Sequence, residues 1–282
     1  MRFIIWLSLG LLIGPSVLGL PRVAALTTLG EIAGGIFLLF AGWELKFLAS
    51  RRESPYYTTI FLGSFVVPVL VAYWFFDGHR FLALAIGISA LPVAIQILKE
   101  KGIFRTPLGR EVVTVASLCD VIAWVAMAFL FSNDSIVKWL TSHWIVGMFF
   151  VGLLLGRFWP EPEKISKFQA KWISPIFFIN LGWGAKVVSS FDWRIVTSVF
   201  LVALFSKTIG TMLAAKASGR SWDHSWNLAI LLNARGAMEI LAAKFALSSN
   251  LIDEKVFTAL ILTAVLTSAM AVPLARSSKS NR

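Results

Sequence analysis

The chain has 282 residues, 57% of them hydrophobic and 15% charged, with a mean hydropathy of +0.78 and a formal net charge of +11. A soluble domain carries about 25% charge and roughly 45–50% apolar residues, so the apolar surplus here excludes a single aqueous globule and calls for lipid. The positive charge does not indicate nucleic acid as partner, because Lys and Arg fall in short segments between long apolar runs and form no basic face.

Twelve Trp and 23 Phe suit the interior and interfaces of a bilayer protein. The single cysteine, Cys119, excludes an internal disulfide and a Cys-based zinc cluster. His79, His143 and His224 are scattered near span ends and read as ordinary surface histidines.

Taken in chain order, ten apolar stretches are long enough, or nearly so, to cross a core of about 30 Å. They lie near 3–19, 30–49, 56–76, 79–98, 109–132, 139–156, 172–190, 194–216, 225–247 and 254–275. The first is short and follows Met1-Arg2. A signal peptide is the lesser reading of it, since Gly14-Pro15 breaks its centre and nine spans follow. The longest loop, 157–171, reads as a solvated connector, and the basic tail Arg276–Arg282 as unstructured. If the N-terminus is cytoplasmic, that side holds seventeen Lys and Arg against six on the other. This positive-inside bias predicts both termini in the cytoplasm.

The predicted fold is therefore an all-α polytopic membrane protein of about ten transmembrane helices. It forms one domain over 1–282, split into repeats of about 1–134 and 135–282. Five spans per repeat would invert the second copy relative to the first.

Three charged residues fall near mid-depth: Asp120 about eleven residues into the fifth span, Lys207 about thirteen into the eighth and Arg235 about ten into the ninth. A charge there costs roughly 2.5–3.5 kcal/mol on insertion scales unless paired or wetted, which marks all three as functional candidates. A partly dehydrated carboxylate can exchange a proton for a metal cation, the competition an antiporter needs. The structural alternative is that Asp120 only neutralises Arg235 or Lys207. Glu239, four residues after Arg235, reads as a local ion-pair partner. Lys244 reads as able to snorkel, and Glu31 and Glu44 as interfacial.

Pro92, after Ser89-Ala90-Leu91, and Asn233-Ala234-Arg235-Gly236 interrupt the fourth and ninth spans. Matched interruptions predict two broken helices, whose unwound carbonyls could face a cation and whose half-helix N-termini could face an anion.

These residues also resemble a known family. LLIGPSVLGL (11–20), LGEIAGGIFLLFAGWEL (29–45), ILKEKGIFRTPLGREVVTVASLCDV (97–121), SPIFFINLG (174–182), the segment around Lys207 and LLNARGAMEI (231–240) are similar, in order, to segments of the sodium/hydrogen exchanger superfamily. The likeness is strongest to its bacterial cation:proton antiporter-2 branch. It implies that Asp120 is the ion- and proton-binding aspartate, Lys207 the basic core position and Arg235 the arginine of the ARG motif. Cys119, Ser89, Pro92, Asn233 and Glu239 would support that site. It further implies that spans 3–5 and 8–10 form a moving core, and spans 1, 2, 6 and 7 a scaffold and dimer side.

Several departures stand beside the resemblance. Cys119 replaces a polar residue common in relatives, so one-for-one exchange is expected. Ala90-Leu91 lack the usual polar side chains. Against the family pattern, two spans between the aspartate helix and PIFF are expected to be missing, as is a leading span. The expectation is a bacterial inner-membrane antiporter exchanging Na+ or K+ for H+, transiently binding the cation at Asp120, with no organic cofactor and a homodimeric state. A non-transporting subunit on the same fold and a sodium-coupled organic-anion symporter are the alternatives. An enzyme is not expected: there is no HExxH, no Ser/His pair at shared depth and no aspartate pair.

Overall fold

Helix breakers and caps set most element boundaries in the computed structural model, which describes residues 2–14, 17–21, 23–43, 54–131, 144–159 and 163–275. Helix α1 (Arg2–Ile13) stops where Gly14 begins the turn, about six residues earlier than expected, and α2 covers Ala24–Trp43, the rest of its expected stretch lying outside the described residues. Next come α3 (Ser54–Phe61) and α4 (Val67–Phe75), joined by a π-helical turn over Leu62–Val66. Pro68 stands two residues after that turn, at the second position of α4. Its ring would clash with the carbonyl four residues back, which a widened turn relieves. The same device recurs where Gln169–Ile173 joins α9 (Glu163–Phe168) to α10 (Ser174–Trp183), with Pro175 at the second position of α10. Between them lie α5 (Arg80–Gly87), α6 (Leu91–Glu100), α7 (Pro107–Phe131) and α8 (Trp144–Phe158). The C-terminal part comprises α11 (Trp193–Ala217), α12 (Trp222–Leu232), α13 (Ala237–Ser248) and α14 (Glu254–Leu274).

Side-chain caps start several of these helices. Asp192 accepts from the Arg194 amide at 3.1 Å ahead of α11, and Asp253 from Val256 at 2.8 Å ahead of α14. His79 Nδ1 accepts from Leu82 N at 3.3 Å ahead of α5, so this histidine is a helix cap rather than an ordinary surface residue.

Among the described residues there is no strand, and six segments are long and apolar enough to cross a membrane. They are Ala24–Trp43, Pro55–Phe75, Arg80–Glu100, Pro107–Leu130, Trp193–Ala217 and Glu254–Leu274. The stretches expected at 3–19, 139–156 and 172–190 hold the shorter helices α1, α8 and α10, and that at 225–247 holds the pair α12 and α13. His143, Glu44 and the tail 276–282 lie outside the described residues.

Two compact units result: Met1–Lys46 with Ala128–Phe191, and Phe47–Met127 with Asp192–Arg282. This is the helix grouping the resemblance implies for scaffold and core, and each unit draws on both halves of the chain. In the first, α2 lies against α8 and α10, and α1 against α10. Phe37 stacks on Phe177 at 5.0 Å, and Asn180 Nδ2 donates to Leu26 O at 2.8 Å.

In the second unit α11 is the common neighbour of α3, α4, α5, α12 and α14. Gly210 of α11 meets Gly63 of the first π turn backbone to backbone: a Cβ built on Gly210 would sit 2.3 Å from Gly63 O, and one on Gly63 2.4 Å from Gly210 O. Small residues allow such approach between membrane helices. Gly210→Val should cost about 1–3 kcal/mol by overpacking, read as a lowered unfolding midpoint in detergent, whereas Gly219→Ala, with nothing within 4 Å of its Cβ, isolates the backbone effect alone.

Candidate functional site

The fourth apolar stretch does not cross as one helix. α5 ends at Gly87, Ile88–Ala90 run extended, and α6 restarts at Leu91 with Pro92 in its first turn. Pro92 therefore begins the second half-helix, where its missing N–H is no loss. The ninth stretch breaks likewise, between Leu232 and Ala237. The two breaks are joined by a backbone hydrogen bond, Ala90 N to Ala234 O, at 3.0 Å. Gly236 keeps this junction close, since a Cβ there would lie 2.6 Å from Val93 Cγ2.

A helix that ends inside an apolar medium leaves its last four carbonyls without partners. Here two buried cations bond the carbonyls of Ala85, Ile86, Gly87 and Ile88, of which Ala85 O also accepts from Ile88 N at 3.2 Å. Lys207, from the middle of α11, donates through Nζ to Gly87 O at 2.5 Å and Ile88 O at 2.8 Å. Arg235, from the second break, donates through Nη1 to Ala85 O at 3.1 Å and through Nη2 to Ile86 O at 2.5 Å. Both side chains are fully buried. Positive charge at the C-terminal end of α5 also opposes its dipole. The carbonyls of residues 85–88 are thus bonded to the protein's own cations.

Arg235 is itself held on several sides. Nη1 also reaches Glu239 Oε1 at 3.0 Å, an ion pair with both side chains fully buried. The Arg235 amide donates to Ser268 Oγ at 3.0 Å, and the Ser268 hydroxyl donates back to Arg235 O. Asn233, at the same break, donates through Nδ2 to Leu204 O at 3.1 Å and Thr208 Oγ1 at 2.9 Å.

Asp120 faces the opposite end of the first break. Its Oδ2 accepts a long 3.4 Å bond from Leu91 N, the first amide of α6, where the helix dipole favours negative charge. Oδ1 is buried and has no hydrogen-bond partner. No ion pair within 4.0 Å joins Asp120 to Lys207 or Arg235 among the described residues, although Asp120 and Lys207 interact electrostatically across the break. Cys119 Sγ lies 3.7 Å from Ser64 Oγ, and Ser89 is buried in the break itself. The two cations and the aspartate therefore sit on either side of one interrupted helix, the cations at its carbonyl end and the acid at its amide end.

One cluster escaped the sequence. Glu111, in the first turns of α7 and 4% exposed, accepts from Tyr56 Oη at 2.8 Å and Arg220 Nη2 at 2.5 Å, and shares a 2.6 Å bond with His224 Nε2. His224 is thus not an ordinary surface histidine. The sequence separations of 109 and 113 residues leave no local signal for these contacts.

Comparison with known proteins bears on what this arrangement belongs to. The family model described as the transmembrane sodium/hydrogen exchanger matches residues 3–135 and 124–276. Cation/H(+) antiporter 15 of Arabidopsis thaliana is 23% identical over 94% of this chain, and the chain spans 43% of that protein's length. Na(+)/H(+) antiporter NhaS4 of Synechocystis is 22% identical over 94% of the chain and 88% of its own length. Na(+)/H(+)-K(+) antiporter GerN of Bacillus cereus is 22% identical over 95% of the chain and 87% of its own. The alignment to NhaS4 runs over 360 residues, longer than the 282-residue chain, so the relative carries internal residues this chain lacks. The family match covers both broken helices, the Asp120 helix and nearly everything between, and the chain accordingly belongs to the sodium/hydrogen exchanger family.

Proposed function

We propose that the chain exchanges a monovalent cation, Na+ or K+, for H+ across a bacterial inner membrane by alternating access. The observation that carries this reading is the Asp120 carboxylate: buried beside a helix break, anchored through one oxygen and with the other unpartnered. One such group can hold either a proton or a cation, and its sharing couples the two fluxes. The antiport named for the Arabidopsis, Synechocystis and Bacillus relatives supports the same chemistry here. Lys207 and Arg235 neutralise the carbonyl end of the broken helix, and Ser89, Pro92, Cys119, Asn233 and Glu239 shape the surroundings of the carrier. One carboxylate at the site favours one proton per cation. Ten spans in two inverted sets of five and cytoplasmic termini complete the proposal, supported by the positive-inside bias and by one break in each half. The homodimer is carried over from the family resemblance alone.

The test is proton flux in proteoliposomes enclosing a pH-sensitive dye. External Na+ or K+ should enter in exchange for H+ and make the interior more alkaline. Protons compete for the same carboxylate, so the apparent KM for the cation should rise on acidification, approaching about tenfold per pH unit once the proton form dominates. A KM constant across pH would rule out a shared site. Absence of flux with either cation would favour a non-transporting subunit, a reading supported by the apolar Ala90-Leu91 pair and by the missing internal residues.

A further inference from the structure

The half-helices α6 and α12 meet at their inner ends through the Ala90–Ala234 bond, and each also has an outer end. α6 runs roughly 15 Å from Leu91 to Glu100 at 1.5 Å per residue and closes in a glycine turn. Gly102 is left-handed at φ +69°, and Ile103 N bonds back to Leu98 O at 2.9 Å, as in a Schellman motif. That turn fixes the backbone of Lys101, whose Nζ donates to Ala275 O at 2.6 Å. Trp226, in the second turn of α12, donates through Nε1 to Leu274 O at 3.1 Å. The two acceptors are successive carbonyls at the end of α14, where a helix has no donors of its own left to offer. Earlier on α14, Ser268 bonds both the amide and the carbonyl of Arg235 at the second break.

α6 and α12 are thus two sides of a closed frame. One corner is the backbone bond between the breaks, and the other is the end of α14. We propose that Lys101 and Trp226 are positioning residues for exchange, which grip the end of α14 to hold this frame closed and the Leu91 amide against Asp120. The proposal rests on the antiport reading. A half-helix of ten residues is too short to hold its own direction, so its anchors at both ends set where it points. The inner end of α6 meets the second break through Ala90 N at 3.0 Å and the carrier through Leu91 N at 3.4 Å. Release of the outer end lets that inner end swing, and the long bond to Asp120 is the first to go. A carboxylate without its anchor must be re-ordered by each cation that binds, which costs affinity. The two donors suit the task. The Lys101 ammonium also opposes the dipole at the C-terminal end of α14, and the Trp226 indole offers its N–H on a rigid ring.

Hydrogen exchange on the intact protein reads the frame without relying on transport. Lys101→Met keeps the length of the side chain and loses the donor. It should lower protection of the 90–94 amides, at the far end of α6, by about three- to tenfold, the worth of one hydrogen bond. Lys101→Arg keeps a donor and should stay near wild type. Trp226→Phe keeps a ring without the N–H and should loosen the 229–234 amides by the same factor; it decides alone if Lys101→Met does not fold. Cation-driven flux per folded protein is measured on the same preparations. Both donorless variants should raise KM by about three- to tenfold and keep the maximal rate, the mark of lost ground-state binding. A merely structural loss would instead lower the maximal rate and leave KM alone. Protection unchanged, loosening confined to residues 97–103, or equal loosening in Lys101→Arg overturns the frame. An unchanged KM in variants whose protection has fallen overturns the positioning role. Loosening as expected in a protein whose wild type moves no cation overturns the antiport reading and leaves the frame standing.

Discussion

Asp120→Asn should reduce cation-driven proton flux to the level of empty vesicles while leaving the protein at least as stable as wild type. The two halves of this result have separate causes. Asn keeps the shape of Asp and an oxygen able to accept the 3.4 Å bond from Leu91 N, so the first amide of α6 stays satisfied. The amide's NH2 then replaces Oδ1, a buried carboxylate oxygen with no partner. Removing an uncompensated buried charge relieves a desolvation cost that a transporter tolerates for function. The unfolding midpoint, followed by tryptophan fluorescence in detergent, should therefore hold or rise. Transport must stop, because an amide neither binds a proton in the physiological range nor competes for an alkali cation. Retained flux would move the carrier elsewhere. Among the described residues the remaining fully buried carboxylate of this unit is Glu239, and its Oε2 also lacks a partner. A folded Asp120→Asn that transports would identify Glu239 as the group to replace next.

The depth of Asp120, Lys207 and Arg235 was legible from the chain because a charge in an apolar run has no other explanation than burial or function. The interruptions near 88–92 and 233–236 were legible for a similar reason: Pro and Gly-flanked polar residues cannot continue a helix in lipid without help. What the chain did not disclose was direction. Spacing places residues at a depth but not on a side, and the three charges suggested one convergent site. All three do meet at the first break, but Lys207 and Arg235 turn to the carbonyls of residues 85–88, while Asp120 turns to the amide of Leu91. Backbone groups freed by a break are invisible in sequence until the break is located to the residue, and Pro92 marks the restart of the helix rather than its end. The Glu111 cluster was hidden for another reason, since each of its bonds joins residues more than fifty apart.

Arg235→Ala should be the most destabilising single change in the second unit, at about 3–5 kcal/mol, the range for removing one partner of a buried ion pair. The guanidinium contributes to three things at once: it pairs with Glu239, and it satisfies Ala85 O and Ile86 O at the end of α5. Its loss leaves a fully buried carboxylate unpaired and the Ile86 carbonyl bare, while Ala85 O keeps only its 3.2 Å bond from Ile88 N. Glu239→Gln should cost less, because Arg235 keeps its two carbonyl acceptors and Gln can still accept through one oxygen. The double variant separates the contributions. Once Glu239 is neutral, removing Arg235 forfeits only the carbonyl bonds, so the pair should be more stable than the two single costs imply by about 0.5–3 kcal/mol. Reversible unfolding in mixed detergent micelles measures all three. Additive costs would mean that the 3.0 Å contact between Arg235 and Glu239 carries no coupling of its own. Arg235 would then act only by capping the carbonyl end of α5, and Glu239, released from a structural role, would be free to titrate.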